Sequence, residues 1–367
     1  MIYVCGIRFI QVTTPDRIGH LCIEPDSFIK EGILGLRSKF IGVLLLPRKV
    51  VANTVVLDLW RRCIPVVTST LACQLLSPLT GFSFIRYSVE HYVIAIGETA
   101  ASAAILAKWN DRPPLLKKEW VASTDGWEVL RKLGIPPGSW YVCVHSRDGH
   151  YSLTDEHLHS YRNSSIENYR LAMQEIVEHG GWCVRVGEPT PVTMPPMPGV
   201  VDYANSTAKS DWMDVFLCAH CRFFLGNSSG LSLLATVFGV PSALANLVPV
   251  SGALPIGRGD LGIPKTLRSR KTGHLLSYRE VLESPVANFR YGSQYVEADI
   301  EVEENSPEDI RDLSNEMLAK LSGTASSDSS DERLQERFQR MMRPGHYSFG
   351  ADSRIGRDFL RKYAELL

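Results

Sequence analysis

The chain has 367 residues, 22% of them charged and 44% hydrophobic, which is apolar enough to pack more than one core and too apolar for a disordered tail. Its 39 Lys and Arg against 40 Asp and Glu leave a net charge of -1. That balance excludes a global field steering the protein toward nucleic acid or an anionic membrane, so any anion site must be a local cluster.

Short apolar runs alternate with longer helical patterns from the start: IYVCGIRFI, a segment from Glu24 to Leu36, FIGVLLL, a segment from Val50 to Arg61, then IPVV. Strand, helix, strand predicts a parallel α/β sheet. Trp109 to Gly138 is rich in Pro, Lys and Gly, holds the short helical pattern WEVLRKLG, and marks a boundary between two units. The rhythm then resumes with WYVCVH, a helix over Ile166 to His179, WCVRV, VVDY, a helix over Trp212 to Ala219, RFFLG and a helix over Leu231 to Phe238. Ser164 with Glu167, and Asp211 with Asp214, are the expected caps of two of these helices. Gly323 to Arg333 reads as a polar low-complexity loop, and FLRKYAELL as a terminal amphipathic helix.

The eight cysteines sit mostly in apolar runs such as WYVCV and WCVRV, and read as core thiols of a reducing compartment. MIYVCGIRFI has no basic leader region, and the longest mildly apolar stretch, Tyr92 to Ala107, contains Glu98. The expectation is a cytoplasmic protein without a transmembrane segment.

Several motifs fail on context. GRGDLG, Gly257 to Gly262, matches a dinucleotide fingerprint but lies between Pro255 and Pro264 with no helix to receive a pyrophosphate. Cys218-x-x-Cys221 stands without a second pair, so core packing is the reading. His150, His157 and His159 lack a completing coordination set, and no Asp-x-Asp triplet occurs, so no metal is expected.

Two constellations remain. In VCVHSRDGHY a buried strand ends at His145, Ser146, Arg147 and Asp148, the strand end where open α/β sheets bind ligands. Arg147 offers a planar fork to a phosphate, or forms a surface pair with Asp148. In RFFLGNSSGLSLLATVFGVP a strand, the turn Asn227-Ser228-Ser229-Gly230 and an apolar helix make an anion cradle. Gly226-x-Ser228-x-Gly230 also fits a nucleophile elbow, for which Asp260 and His274 would be the downstream partners of Ser228.

VCVHSRDGHY, RNSSIENY, WCVRVGEP and SDWMDVFLCAHCRFFLGNSSGLSLLATVFGVP resemble a bacterial glycosyltransferase family of surface-polysaccharide and related biosynthetic gene clusters. The chain is also distantly similar to GDP-fucose-dependent fucosyltransferases, sharing His145 and Arg147 of their H-x-R motif but carrying Asp148 where a second arginine is common. The resemblance implies a GT-B fold: two Rossmann-like domains facing a cleft, an acceptor domain over 1–125, a nucleotide-sugar donor domain over 126–350, and a helix over 351–367 crossing back to the first. It implies a metal-independent transferase with a nucleotide-diphosphate sugar as co-substrate, no cofactor, and a glycan or small-molecule hydroxyl as acceptor.

Negative charge builds on the leaving diphosphate in such a transfer, so its stabilisation is the main task. Arg147 and the turn Asn227 to Gly230 are expected to do this, with His145, Arg162 and Glu188 completing the donor site. An inverting reaction needs a base on the acceptor side, where TTPDRIGHL offers His20, followed by Glu24 and Asp26, unless His20 merely packs or caps. The alternatives are an epimerase or hydrolase of nucleotide sugars on the same frame, and a serine hydrolase using Ser228.

Overall fold

The computed structural model describes residues 6–93, 101–149 and 153–367. The first unit runs β1 (Ile7–Ile10), α1 (Ile18–Ile33), β2 (Ile41–Leu45), α2 (Thr54–Trp60), β3 (Val66–Val67), α3 (Thr70–Leu76), β4 (Arg86–Tyr87) and α4 (Ala101–Trp109). After α5 (Thr124–Lys132), the second unit opens with β5 (Tyr141–His145), α6 (Leu153–His159), α7 (Arg170–Glu178), β6 (Trp182–Arg185) and β7 (Val200–Asp202). It continues through α8 (Asp211–His220), β8 (Phe224–Gly226), α9 (Gly230–Val237), β9 (Ser242–Leu247), β10 (Leu261–Pro264), β11 (Thr266–Ser269) and α10 (Tyr278–Leu282). It closes with α11 (Gly292–Glu297), β12 (Ile300–Glu303), α12 (Pro307–Ser322), α13 (Ser329–Met341), β13 (Arg354–Ile355) and α14 (Arg357–Lys362).

Both main sheets are parallel. The first has the order β3-β2-β1-β4 and the second β13-β10-β9-β8-β5-β6-β7. Each is doubly wound, and the strand order reverses between β1 and β4 in one and between β5 and β8 in the other. Ligands of such sheets bind beyond the strand C-termini at that reversal. These are the two α/β halves expected from the strand-helix rhythm, in the Rossmann-like form that the resemblance implied.

Strand alternation decides what each face buries. Tyr141 and Cys143 of β5 join the core that also holds Leu21, Cys22, Leu234 and Ala235, so one face of the second sheet packs through α8 and α9 onto α1 of the first unit. Val142 and Val144 point the other way, into a core with Ile176 of α7 and Ile310, Leu313 and Met317 of α12. Six of the seven described cysteines are buried, and all seven are free thiols.

Four expectations change. The first helix begins not at Glu24 but at Ile18, with Pro25 inside it. The missing N–H of Pro25 would orphan the carbonyl of Leu21, and the Trp60 indole Nε1 donates to that carbonyl at 2.8 Å, so the helix starts at Ile18 and carries His20. The caps shift by one residue, to Ser165 and Ser210, whose hydroxyls accept from Glu167 N and Met213 N. The serine-rich loop is shorter than expected because Asp328 caps α13, accepting from the amides of Ser330 and Asp331. The last helix packs on the second unit: Arg361 pairs with Asp331 of α13 and Lys362 with Asp309 of α12, while Phe359 and Leu360 enter the α7–α12 core. These contacts hold it against its own unit, while Asp352 ahead of it shares Arg258 with Asp111 at the edge of the first unit. No helix among the described residues is long and apolar enough to cross a membrane.

Candidate functional site

On the first unit the site begins where β1 ends. Glu24 is fully buried, and its carboxylate accepts from the Thr13 amide at 2.8 Å, from the Thr13 hydroxyl, and from His20 Nδ1 at 2.7 Å. A carboxylate oxygen only accepts, so Nδ1 of His20 carries the hydrogen, and in the neutral ring the lone pair is on Nε2. The His20 side chain is 19% exposed. This is a held imidazole with one open nitrogen, the arrangement a general base requires. Asp26 takes no part: it faces the opposite side of α1, buried against Lys30 at 2.7 Å, and its carboxyl is pushed above the usual range by burial.

On the second unit the reversal lies between His145 of β5 and Gly226 of β8, which stand side by side in register. Asn227, the next residue, is 1% exposed and turned inward. Its Oδ1 accepts from the Arg147 amide at 2.9 Å, and its Nδ2 donates to the Arg162 carbonyl at 3.1 Å and to Ser164 Oγ at 3.3 Å. Asn227 therefore staples three loops together, a role its spacing did not reveal.

Ser229 caps α9 in a reciprocal box with Ser232, which uses up the amides of those two residues. Gly230 and Leu231 keep backbone N–H groups without a partner among the described residues. Neither α9 nor α1 has an acidic residue in its first turn, and α1 has no side-chain cap. The positive ends of both helices are thus left uncompensated.

The two ends touch. A Cβ on Gly230 would lie 2.5 Å from Ile18 Cγ2 and 2.9 Å from the Gly19 amide nitrogen, and a Cβ on Gly19 would lie 3.2 Å from Gly230 Cα. His20 is therefore one residue away from the point where α9 begins. We expect Gly230→Ala to destabilise the protein by about 1–3 kcal/mol, through overpacking against backbone that cannot yield, and Gly19→Ala by less, because its 3.2 Å contacts are looser. Urea unfolding of the two variants checks this order.

The guanidinium closest in role to the expected anion ligand is that of Arg162. Its Nη2 donates to the Ser228 carbonyl at 3.1 Å, which lays it along the turn, and no carboxylate pairs with it among the described residues. Arg147 is more committed: its Nη1 donates to Asn163 Oδ1 and, at 3.3 Å, to the His159 carbonyl, with Glu156 at 3.8 Å. His145 donates from Nδ1 to the Val186 carbonyl at 3.0 Å, and burial holds its pKa below the ordinary value, so it presents a neutral Nε2. Gly187 passes this ring closely, with a Cβ there only 3.1 Å from Nδ1, and leads to Glu188, which is exposed and 3.8 Å from Lys209. Arg185, at the end of β6, is 3% exposed and bonded to the Val192 carbonyl and Asp202.

The pattern missed three residues. Thr13 and Asn163 are small polar side chains inside quoted phrases, with nothing in their spacing to single them out. Lys265 follows the apolar run LGIP directly, and the rule that polar residues at strand ends mark sites would have found it had β10 been read as a strand.

The elbow reading of Ser228 fails on topology. Asp260 precedes β10 and accepts from Ser242 N, the first residue of β9, and from Gly257 N, so it lies at the N-terminal edge of the sheet, opposite Ser228. His274 sits in the hairpin after β11, bonded to Thr272. Burial raises the Asp260 carboxyl to about 7. The folded state then binds the proton more tightly than the unfolded chain, so this residue makes stability fall as pH rises from about 4 to about 7. We expect a slope of roughly 1 kcal/mol per pH unit that is absent in Asp260→Asn, read as the difference between the two proteins in urea unfolding at pH 5 and pH 7.

Among the described residues no group of three or more His, Cys, Asp or Glu side chains is placed to hold a metal, and His150 lies outside them. No family model and no curated protein matches the chain. Among solved structures it is similar to the dodecameric iron-containing heptosyltransferase TibC in complex with ADP-D-beta-D-heptose, at 14% identity and a TM-score of 0.40, covering 66% of this chain and 58% of that one. The chain thus spans little more than half the length of that relative. It is similar to the Escherichia coli ADP-heptose lps heptosyltransferase II at 11% identity and TM-score 0.40, covering 66% and 86%. It also resembles the UDP-GlcNAc 2-epimerase from Neisseria meningitidis at 10% identity and TM-score 0.31, covering 98% of each chain.

Proposed function

We propose that this chain is a glycosyltransferase, moving a sugar from a nucleoside-diphosphate sugar to a hydroxyl of a glycan or small metabolite, with inversion and without a metal ion. One observation carries the reading: two positive helix ends touch, one carrying a carboxylate-held imidazole and the other preceded by a turn along which lies a guanidinium with no carboxylate partner among the described residues. That pairing suits a reaction in which a proton is removed on one side while negative charge develops on the other.

In this reading His20 Nε2 takes the proton of the acceptor hydroxyl as its oxygen attacks the anomeric carbon. The bond from that carbon to the diphosphate oxygen breaks. Arg162 and the amides of Gly230 and Leu231 receive the charge on the leaving diphosphate, and Arg147 adds to the local positive potential from behind Asn163. The neutral Nε2 of His145 and the carboxylate of Glu188 accept hydrogen bonds from ribose or sugar hydroxyls.

The test is product analysis with UDP-, GDP-, ADP-, CDP- and dTDP-sugars in EDTA, with and without an acceptor panel. A glycosylated acceptor supports the reading. Donor consumed or epimerised equally well without acceptor replaces it with the epimerase or hydrolase alternative, and fluorophosphonate labelling of Ser228 replaces it with a serine hydrolase.

A further inference from the structure

On the donor side, packing does not explain the burial of Lys265. It follows β10 at the C-terminal edge of the second sheet and is 3% exposed. No carboxylate lies within ion-pair distance of it among the described residues; burial lowers its pKa to about 8, and of the charges around it Glu304 favours the ammonium while Arg147 opposes it more weakly. Burying an ammonium costs far more than burying a methylene chain of the same length, so a methionine would serve packing better.

What the ammonium does hold is a loop. Its Nζ donates to the carbonyls of Tyr161 at 3.0 Å and Asn163 at 2.6 Å. The carbonyl between them, that of Arg162, is taken by Asn227 Nδ2, and the next amide, of Ser164, donates to the Arg147 carbonyl at 3.0 Å. Three successive carbonyls are thus pinned inward, which leaves the Arg162 side chain directed along the Ser228 turn and sets Asn163 Oδ1 against Arg147.

We infer that Lys265 is a positioning residue for the diphosphate site: it clamps residues 161–163 so that the guanidinium of Arg162 is preorganised for the leaving group. The inference rests on the function proposed above and extends it to a residue that does not touch the ligand. Preorganisation of this kind is lost when the support is removed, even where the contact residue remains.

The experiment is a double-mutant cycle on nucleotide affinity, by calorimetric titration in EDTA with UDP, GDP, ADP, CDP and dTDP, following the tightest. Lys265→Met should weaken binding by about tenfold or more in the wild-type background and by less than about twofold in the Arg162→Ala background, because both act through one group. Lys265→Gln keeps a donor for one carbonyl, should lose about three- to tenfold, and carries the test if the methionine variant does not fold. Equal losses in both backgrounds overturn the inference in favour of a merely structural lysine, as does wild-type affinity in either folded variant. If the wild-type protein binds none of the five nucleotides, the functional reading falls and the clamp falls with it; wild-type binding with an unaffected Lys265 variant removes the clamp alone.

Discussion

His20→Ala is expected to lose about 10²–10⁴-fold in turnover while nucleotide affinity stays within about twofold. The reason is the one-sided environment of the ring. Nδ1 is fixed by Glu24, which is itself fixed by the amide and hydroxyl of Thr13, so the ring can neither rotate freely nor exchange tautomers without breaking a buried bond. All base strength is thereby directed through Nε2. Single-turnover rates, measured beside nucleotide titrations, separate the two effects. A fall of less than tenfold would assign the proton to another group, and an equal fall in affinity would make His20 a packing residue.

Arg162→Ala is expected to weaken nucleoside-diphosphate binding by about 10–100-fold and to lower turnover further, since a charge-assisted bond to a phosphate contributes roughly 1.5–3 kcal/mol and strengthens as the leaving group gains charge. Arg162→Lys should recover only part of this, because a point charge cannot keep the bond to the Ser228 carbonyl and a bidentate grip together. Arg147→Ala should cost less affinity than Arg162→Ala, as its guanidinium is already occupied by Asn163, the His159 carbonyl and Glu156. Calorimetry on the three variants ranks them, and an Arg162→Ala protein with wild-type affinity would show that the diphosphate lies elsewhere.

The parts of this site that were legible are those where an apolar run stops abruptly. The apolar runs of YVCVH and RFFLG give way to polar residues because their strands end there, and those ends are the reversal in strand order. What was not legible depends on residues far apart in sequence. A proline at 25 argues against a helix running through it until the Trp60 indole, 39 residues from Leu21, satisfies the carbonyl it orphans, and the helix expected from Glu24 then begins at Ile18 and carries His20 above Glu24. Asn227 sits in the expected cradle, but its side chain turns inward to Arg162 and Ser164, a direction that spacing does not encode. The last helix has the pattern of a surface element, and what anchors it to the second unit is the placement of Asp309 and Asp331. The strand β10 is short and bounded by prolines, which hid Lys265.

A crystal structure with a bound nucleoside diphosphate, grown in EDTA, tests the central claim most directly. The account predicts diphosphate oxygens within about 3 Å of the Arg162 guanidinium and of the Gly230 or Leu231 amide, with His20 Nε2 open toward the sugar side. A nucleotide seated away from the junction of α1 and α9, or a junction that stays closed by Ile18 with the nucleotide bound elsewhere, would contradict it.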